Sequence, residues 1–322
     1  MTATRRAALA LPALALATPA WAQSWPERPV RITVGFPAGS TPDIAARAMA
    51  AHLESVLGQP MVVDNRPGAG GSIAVDAMLR ANDGHTLAVT IGGPGSTARL
   101  VNPLLPYDPP VDLAPISLLA RLPFVLAVTP SLPVRSVREL IEYARANPGR
   151  LNFGSIGVGT LGHLVMAEFN ARHSLDMTHV TYRSVPQSVT EIVAGRLEVM
   201  AATAGAVLGQ LSAGEARALA VTGEARMTQL PDVPTLLELG EPGIPVYGWI
   251  GLFGPRGMPA ERIARLASEA TRAMAAPETN RALTTAGFEP LGTTPDALAA
   301  LVRTEVNHWG EVIRRLDIRP ES

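Results

Sequence analysis

Apolar and polar positions along the chain switch between a period of two and a period near 3.6. Val30-Arg31-Ile32-Thr33-Val34 opens an alternating run over 30–36 that predicts a strand. Residues 44–57 then carry apolar side chains at 44, 48, 49, 53, 56 and 57, the spacing of one helix face. A strand at 61–65, a Gly-rich turn at 66–71, a helix at 72–80 and a strand at 85–91 follow. The Pro- and Asp-rich stretch 102–115 reads as a connecting loop. An apolar run at 116–129, broken by Arg121 and Pro123, places a crossover between two domains. Beyond it, Ser136 caps a helix reaching Ala146, and strands at 151–155, 178–182 and 197–201 alternate with helices at 160–173 and 185–194. Residues 219–222 form a second candidate crossing strand. A polar, Pro-rich segment at 226–245 leads to a strand at 247–253 and three helical stretches. Such alternation predicts an α/β fold. Its layout is one lobe interrupted by another: residues 23–122 and 225–322 around an inserted lobe at 123–224.

The N-terminus is set aside from the fold. Arg5 and Arg6, an apolar stretch at 7–20 and Ala20-Trp21-Ala22 ahead of Gln23 make the pattern of a cleaved secretory signal. The stretch is too short to span a bilayer comfortably, and Pro12 and Pro19 interrupt it. Thr4-Arg5-Arg6 leaves both the general and the twin-arginine export routes open. Cleavage after Ala22 takes the formal net charge from −1 to about −3 and predicts a periplasmic protein. Without cysteine, neither a disulfide framework nor a lipid-modified N-terminal Cys is available. All 27 basic residues are arginine, which a coding bias explains. A near-neutral balance without basic runs argues against nucleic acid as a partner.

Two segments carry candidate chemistry. Gly35-Phe36-Pro37-Ala38-Gly39-Ser40-Thr41-Pro42-Asp43 joins a strand to a helix through a short glycine-containing loop, with Thr41 as the expected N-cap and Pro42 at the first helical position. Residues 151–163 repeat the device, with Thr160 as the expected cap. Backbone N–H groups and the positive end of a helix dipole leave such loops together, making an anion cradle. Two cradles, one per predicted lobe, suggest a cleft in which both helix N-termini face one ligand, and a carboxylate there accepts several charge-assisted hydrogen bonds. Gly157-Val158-Gly159-Thr160-Leu161-Gly162 is also a formal G-x-G-x-x-G match, with Asp176 19 residues past Gly157. A lone match is weak evidence for a dinucleotide, and Asp176 precedes the next strand instead of ending it.

Catalytic constellations are thin. The histidines at 52, 85, 163, 173, 179 and 308 lack metal-ligand spacing, and neither H-E-x-x-H nor G-x-S-x-G occurs. His163 reads as a packing or supporting residue, and Arg47 as half of a surface ion pair. Asp43 reads as a helix-dipole partner that either orders its loop or receives a ligand donor. The turn at 66–71 lacks the Lys-Ser/Thr ending of a phosphate loop and reads as structural. The expectation is a protein without catalytic residues, metal or cofactor. An exported hydrolase using Ser155 or His163, and a dehydrogenase, remain as alternatives.

Several ordered blocks resemble the periplasmic substrate-binding components of tripartite tricarboxylate transporters, the Bug-type receptors. They include Phe36-Pro37-Ala38-Gly39-Ser40-Thr41-Pro42-Asp43 with Ala46-Arg47, Leu57-Gly58-Gln59-Pro60, and Val62-Val63-Asp64-Asn65-Arg66-Pro67-Gly68-Ala69-Gly70-Gly71. Asp83-Gly84-His85-Thr86-Leu87, Leu105-Pro106-Tyr107-Asp108-Pro109 and Pro148-Gly149-Arg150-Leu151-Asn152-Phe153 continue the series. Arg217-Ala218-Leu219-Ala220-Val221-Thr222 and Leu230-Pro231-Asp232-Val233-Pro234-Thr235 complete it. The resemblance implies a two-lobed periplasmic binding protein fold of the type II, venus-flytrap kind. Its ligand, a small organic carboxylate, would be gripped between the lobes and delivered by a monomeric, non-enzymatic receptor to integral membrane permease subunits. A receptor that feeds a sensor kinase is the alternative within binding proteins. By position, Phe36, Ala38, Gly39, Ser40 and Asp43 should form the first cradle, and Ser155, Gly157, Gly159, Thr160 and His163 the second. Gly92, Gly93, Ser96 and the stretch Ala202-Thr203-Ala204 should shape the far end. Ser40 departs from the family's usual second glycine, and its hydroxyl could supply a further hydrogen bond. The uncharged far-end loop disfavours a solute as acidic as citrate and leaves monocarboxylates, aromatic acids and small dicarboxylates open.

Overall fold

The structure, a computed structural model, describes residues 25–241 and 247–319, so the leader read at residues 1–22 lies outside the described residues. The chain runs through β1 (Val30–Val34), α1 (Thr41–Leu57), β2 (Met61–Asn65), α2 (Ser72–Ala81) and β3 (Thr86–Ile91). Two short helices, α3 (Ala98–Val101) and α4 (Pro109–Asp112), lead into a long strand, β4 (Leu113–Val128). Next come α5 (Val137–Ala146), β5 (Asn152–Ser155), α6 (Leu161–Arg172), β6 (Thr178–Thr181), α7 (Val185–Val193), β7 (Val199–Thr203), α8 (Ala204–Ser212) and β8 (Arg217–Val221). The chain closes with β9 (Tyr247–Pro255), α9 (Ala260–Ala275), α10 (Pro277–Thr285), β10 (Glu289–Pro290) and α11 (Pro295–Arg315).

The strands follow the order β2-β1-β3-β9-β4-β7-β5-β6, with β8 and β10 also paired to β4. Because β4 belongs to both halves of this order, it is the spine of the molecule. Residues 113–123 pair antiparallel with β9, and residues 124–128 pair with β7. The handover falls at Pro123, and a register shift follows Pro115. A proline has no N–H to give a ladder, so it sits where pairing is interrupted. The sequence pattern places 102–115 in a loop, whereas α4 and the first three residues of β4 lie within it. The prolines at 109, 110 and 115 mask that start. A second crossing lies beside the first: Thr222 N donates to the Phe124 carbonyl at 2.9 Å, and the Thr222 hydroxyl accepts from Phe124 N at 2.9 Å.

Each half of the sheet is covered on both faces. In the first half, β1, β3 and β9 bury Val30, Ile32, Leu87 and Ile250 against α1 and α9 on one face. On the other face α2 and the start of α11 contribute Val75, Met78, Leu298 and Val302. In the second half, α5 and α6 pack one face through Leu140, Leu164 and Phe169, and α7 and α8 pack the other through Val189, Ile192 and Val207. Two elements reach across. Met227 and Leu236 pack on the second half, as do Trp309, Val312 and Ile313 at the end of α11.

Candidate functional site

The loop after β1 is built from its own hydrogen bonds. Ser40, not Thr41, holds the capping position of α1, which makes Pro42 the second helical residue. Gly39 at φ +79° turns the chain into that cap. Asp43 is buried behind the loop and accepts three bonds, from Gly39 N at 2.8 Å, Arg47 Nε at 2.9 Å and Asn65 Nδ2 at 2.9 Å. Asn65 Nδ2 also donates to the Phe36 carbonyl at 3.0 Å. Burial pushes the Asp43 carboxyl up, but the bonds from Arg47, Gly39 and Asn65 outweigh it and hold the group below the usual carboxylate range.

The loop after β5 has the same plan with different chemistry. Thr160 is the N-cap residue of α6, and His163 occupies the place that Asp43 holds in α1. His163 Nδ1 accepts from Gly159 N at 3.1 Å, just as Asp43 accepts from Gly39. Burial, and then the charge of His179, push the His163 imidazole down to about 3, so it is neutral and its proton sits on Nε2. The Gly157 carbonyl accepts from Thr160 Oγ1 at 2.7 Å and from Ser155 Oγ at 3.1 Å. Ser155 Oγ also faces His179 Nε2 at 2.7 Å. Gly159 has φ +77°, and a β-carbon there would stand 2.5 Å from Val101 Cγ2.

Ser136 and Thr294 cap α5 and α11 by accepting from Glu139 N and Ala297 N. Ser40, Thr160 and Thr203, the N-cap residues of α1, α6 and α8, make no such bond. The hydroxyls of Ser40 and Thr203 are buried without a partner. All three residues border one cavity of about 490 Å³ between the two halves of the sheet. The ends of α1 and α6 present amides without a side-chain cap to that space, which suits an incoming anion, whereas at α8 the Ala286 carbonyl packs against the first turn.

The sequence-predicted residues divide into wall and support. Phe36, Gly39, Ser40, Gly92, Ser155, Thr160 and Thr203 line the cavity. Asp43, Gly157, Gly159 and His163 hold the two loops from behind, and Ser96 does the same for Gly92 by bonding its carbonyl. Ala38 is exposed and lies off the wall.

A profile of the "Tripartite tricarboxylate transporter family receptor" matches residues 45–318. A protein from Pseudomonas sp. strain P51, "UPF0065 protein in tcbD-tcbE intergenic region", is 38% identical over 315 residues, 96% of this chain and 94% of its own length. "Protein BugT" of Bordetella pertussis is 32% identical, covering 93% of this chain and 92% of its own. Among solved structures, "R. palustris Rpa4515 with adipate" superposes with a TM-score of 0.86 at 35% identity over 92% of this chain and all of its own. "MatC (Rpa3494) from Rhodopseudomonas palustris with bound malate" gives 0.83 at 31% identity over 90% of this chain and 100% of its own. The chain belongs to the tripartite tricarboxylate transporter receptor family. The receptor shares the two-lobed α/β architecture of these periplasmic solute-binding proteins. Among its described residues no helix is long and apolar enough to cross a membrane.

The receptor also uses residues that the sequence pattern does not single out. The turn at 68–71, read as structural, meets the second loop: a β-carbon at Gly157 would lie 3.4 Å from Gly70 Cα, and one at Gly93 would lie 3.3 Å from the Gly159 carbonyl. Leu122, Phe124, Trp249 and Phe288 form apolar wall. Behind Gly92, the buried Glu305 of α11 accepts from Ser96 Oγ at 2.8 Å. Burial pushes its carboxyl up to about 7, against the opposing pull of Ser96 and the Trp249 indole. A repeated glycine-rich turn could have signalled the first of these contacts. Nothing local signals the others, since each is a side chain brought in from a distant part of the chain.

Proposed function

We propose that this receptor captures a small organic carboxylate between its lobes and delivers it to the integral membrane permease subunits of a tripartite transporter. The observation that carries the reading is the set of hydroxyl N-cap residues, Ser40 and Thr160 foremost, that leave their own helices uncapped and face one cavity. A carboxylate supplies the acceptors those helix ends lack, and the gain is about 0.3–1 kcal/mol per helix dipole before hydrogen bonds are counted. Adipate and malate, named with two solved relatives, are acids of this class. Ser40, Gly39 and Phe36 from one side and Thr160 and Ser155 from the other form the acid-binding end; Gly92 and Thr203 form the far wall. The lobes are residues 23–122 with 225–322, and 123–224, with residues 227–236 and the end of α11 leaning on the second lobe. The chain acts in the periplasm as a monomer after cleavage following Ala22. Ligand favours closure by its greater affinity for the closed state, and no bond is made or broken.

Thermal unfolding against a panel of carboxylic acids and their amides tests this reading. An acid at a hundred times its Kd stabilises by about 2.7 kcal/mol, and the matching amide should not. Ser155 and His179 stand at a nucleophile–base distance of 2.7 Å, which favours a hydrolase as the second reading. Steady ester turnover, lost in Ser155→Ala, would replace the receptor reading with that one.

A further inference from the structure

The cavity wall away from the two loops is largely apolar, and the groups that interrupt it, Ser184, Ser188, Thr190 and Gln210, are uncharged. Leu122, Phe124, Met200, Trp249 and Phe288 form its apolar part, and the cavity continues as a slot between α7 and α8. Val185, Val189 and Val193 of α7 and Ala206 of α8 line that slot. Val193 is 40% exposed, an apolar side chain left in water at the slot's margin. Among the described residues that border the cavity, the one charged side chain is that of Glu215, and no arginine or histidine does so. A second carboxylate would therefore find no cation to pair it, in a wall whose one charge is itself negative. The N-terminus of α8 does not offer a substitute. The Ala286 carbonyl of the other lobe presses on its first turn, so closely that a β-carbon on Gly205 would stand 1.8 Å from that oxygen. Backbone around Ala286 and Gly287 already fills the space against that helix end.

A cavity of about 490 Å³ is within the range of pockets that enclose a small organic molecule. We propose that the ligand is a monocarboxylate with a sizeable apolar body, alkyl or aromatic, whose acid end meets both loops and whose body enters the α7–α8 slot. The proposal rests on the carboxylate reading of the loops and narrows it.

Calorimetric titration of the leader-free receptor with butanoate, hexanoate, octanoate, decanoate and phenylbutyrate tests it, with adipate and sebacate as dicarboxylates of matched length. Affinity should rise about fourfold per added methylene until the slot is filled. Each dicarboxylate should bind at least about tenfold more weakly than the monocarboxylate of its length. Ala206→Leu, which narrows the slot, should weaken decanoate by about tenfold or more and leave butanoate unchanged. Val193→Ser, at an exposed position where folding is not at stake, should weaken decanoate selectively as well. Tighter binding of the dicarboxylates, or equal effects of both variants on short and long acids, would overturn the proposal while leaving the receptor reading intact. Failure of every acid to bind would overturn both.

Discussion

Asp43 shows how one buried charge can order a loop that borders the cavity. It is 1% exposed, and its three hydrogen bonds join the loop amide of Gly39, the α1 side chain of Arg47 and the β2 side chain of Asn65. Asp43→Asn keeps the size but turns an acceptor-only group into one that must present N–H to donors. It should lower stability by about 1.5–3 kcal/mol, the range for hydrogen bonds to a charged group, and weaken acid binding by loosening Gly39 and Ser40. The folded-state pKa lies below the ordinary value of 3.8, so the contribution of the charged group is present above that pH and is lost as pH falls through the folded value. Urea unfolding at a series of pH values should therefore show a gap between wild type and variant that persists at neutral pH and closes in strong acid. A gap independent of pH would remove Asp43's charge from the account. The sequence marks Asp43 as a first-turn acid near a glycine loop. What it hides is Asn65, 22 residues away, whose amide completes the set of donors around the carboxylate.

At the scale of elements, helix ends differ in how they are capped: Ser136, Ser184 and Thr294 cap their own helices, Ser184 while bordering the cavity, whereas Ser40, Thr160 and Thr203 do not. Ser136→Ala and Thr294→Ala remove bonds to Glu139 N and Ala297 N and should each cost about 0.5–2 kcal/mol in thermal or urea unfolding. Ser40→Ala removes a buried hydroxyl that has no partner and should leave unliganded stability within about 0.5 kcal/mol. Its effect should appear in ligand affinity, measured by titration with the best acid. A Ser40→Ala protein that binds normally yet unfolds easily would show that Ser40 belongs to the fold. Periodicity reveals β1, α1 and β5 because each is a local amphipathic pattern. It does not reveal β4 as the spine shared by both half-sheets, because Pro115 and Pro123 look like breaks unless the partner strands are known. Nor does it reveal α11 as a bridge: Leu298 and Val302 pack on one lobe and Trp309 and Val312 on the other, though all lie on a single helical pattern.

At the scale of the whole molecule, two buried ionisable groups behind the cavity walls pull stability in opposite directions as pH changes. Glu305 has a folded pKa raised from 4.5 to about 7, so its favourable contribution is complete below 4.5 and is lost as pH rises towards 7. His163 has a folded pKa lowered from 6.5 to about 3, so the unfolded chain takes up its proton first and stability rises with pH until 6.5. Each slope is at most about 1.4 kcal/mol per pH unit. Between pH 4.5 and 6.5 the two nearly cancel, and a pH titration of the wild type would not reveal either group. Glu305→Gln breaks the balance. It mimics the neutral acid and keeps an acceptor for Ser96, so the His163 slope should emerge and stability should climb with pH across that window. At pH 8 the variant should exceed wild type by on the order of 3 kcal/mol, because the wild type then holds a desolvated carboxylate at the junction of α11, Ser96 and Gly92. Parallel wild-type and Glu305→Gln profiles would mean that Glu305 ionises as it does in water, and that water reaches this junction through the lobes.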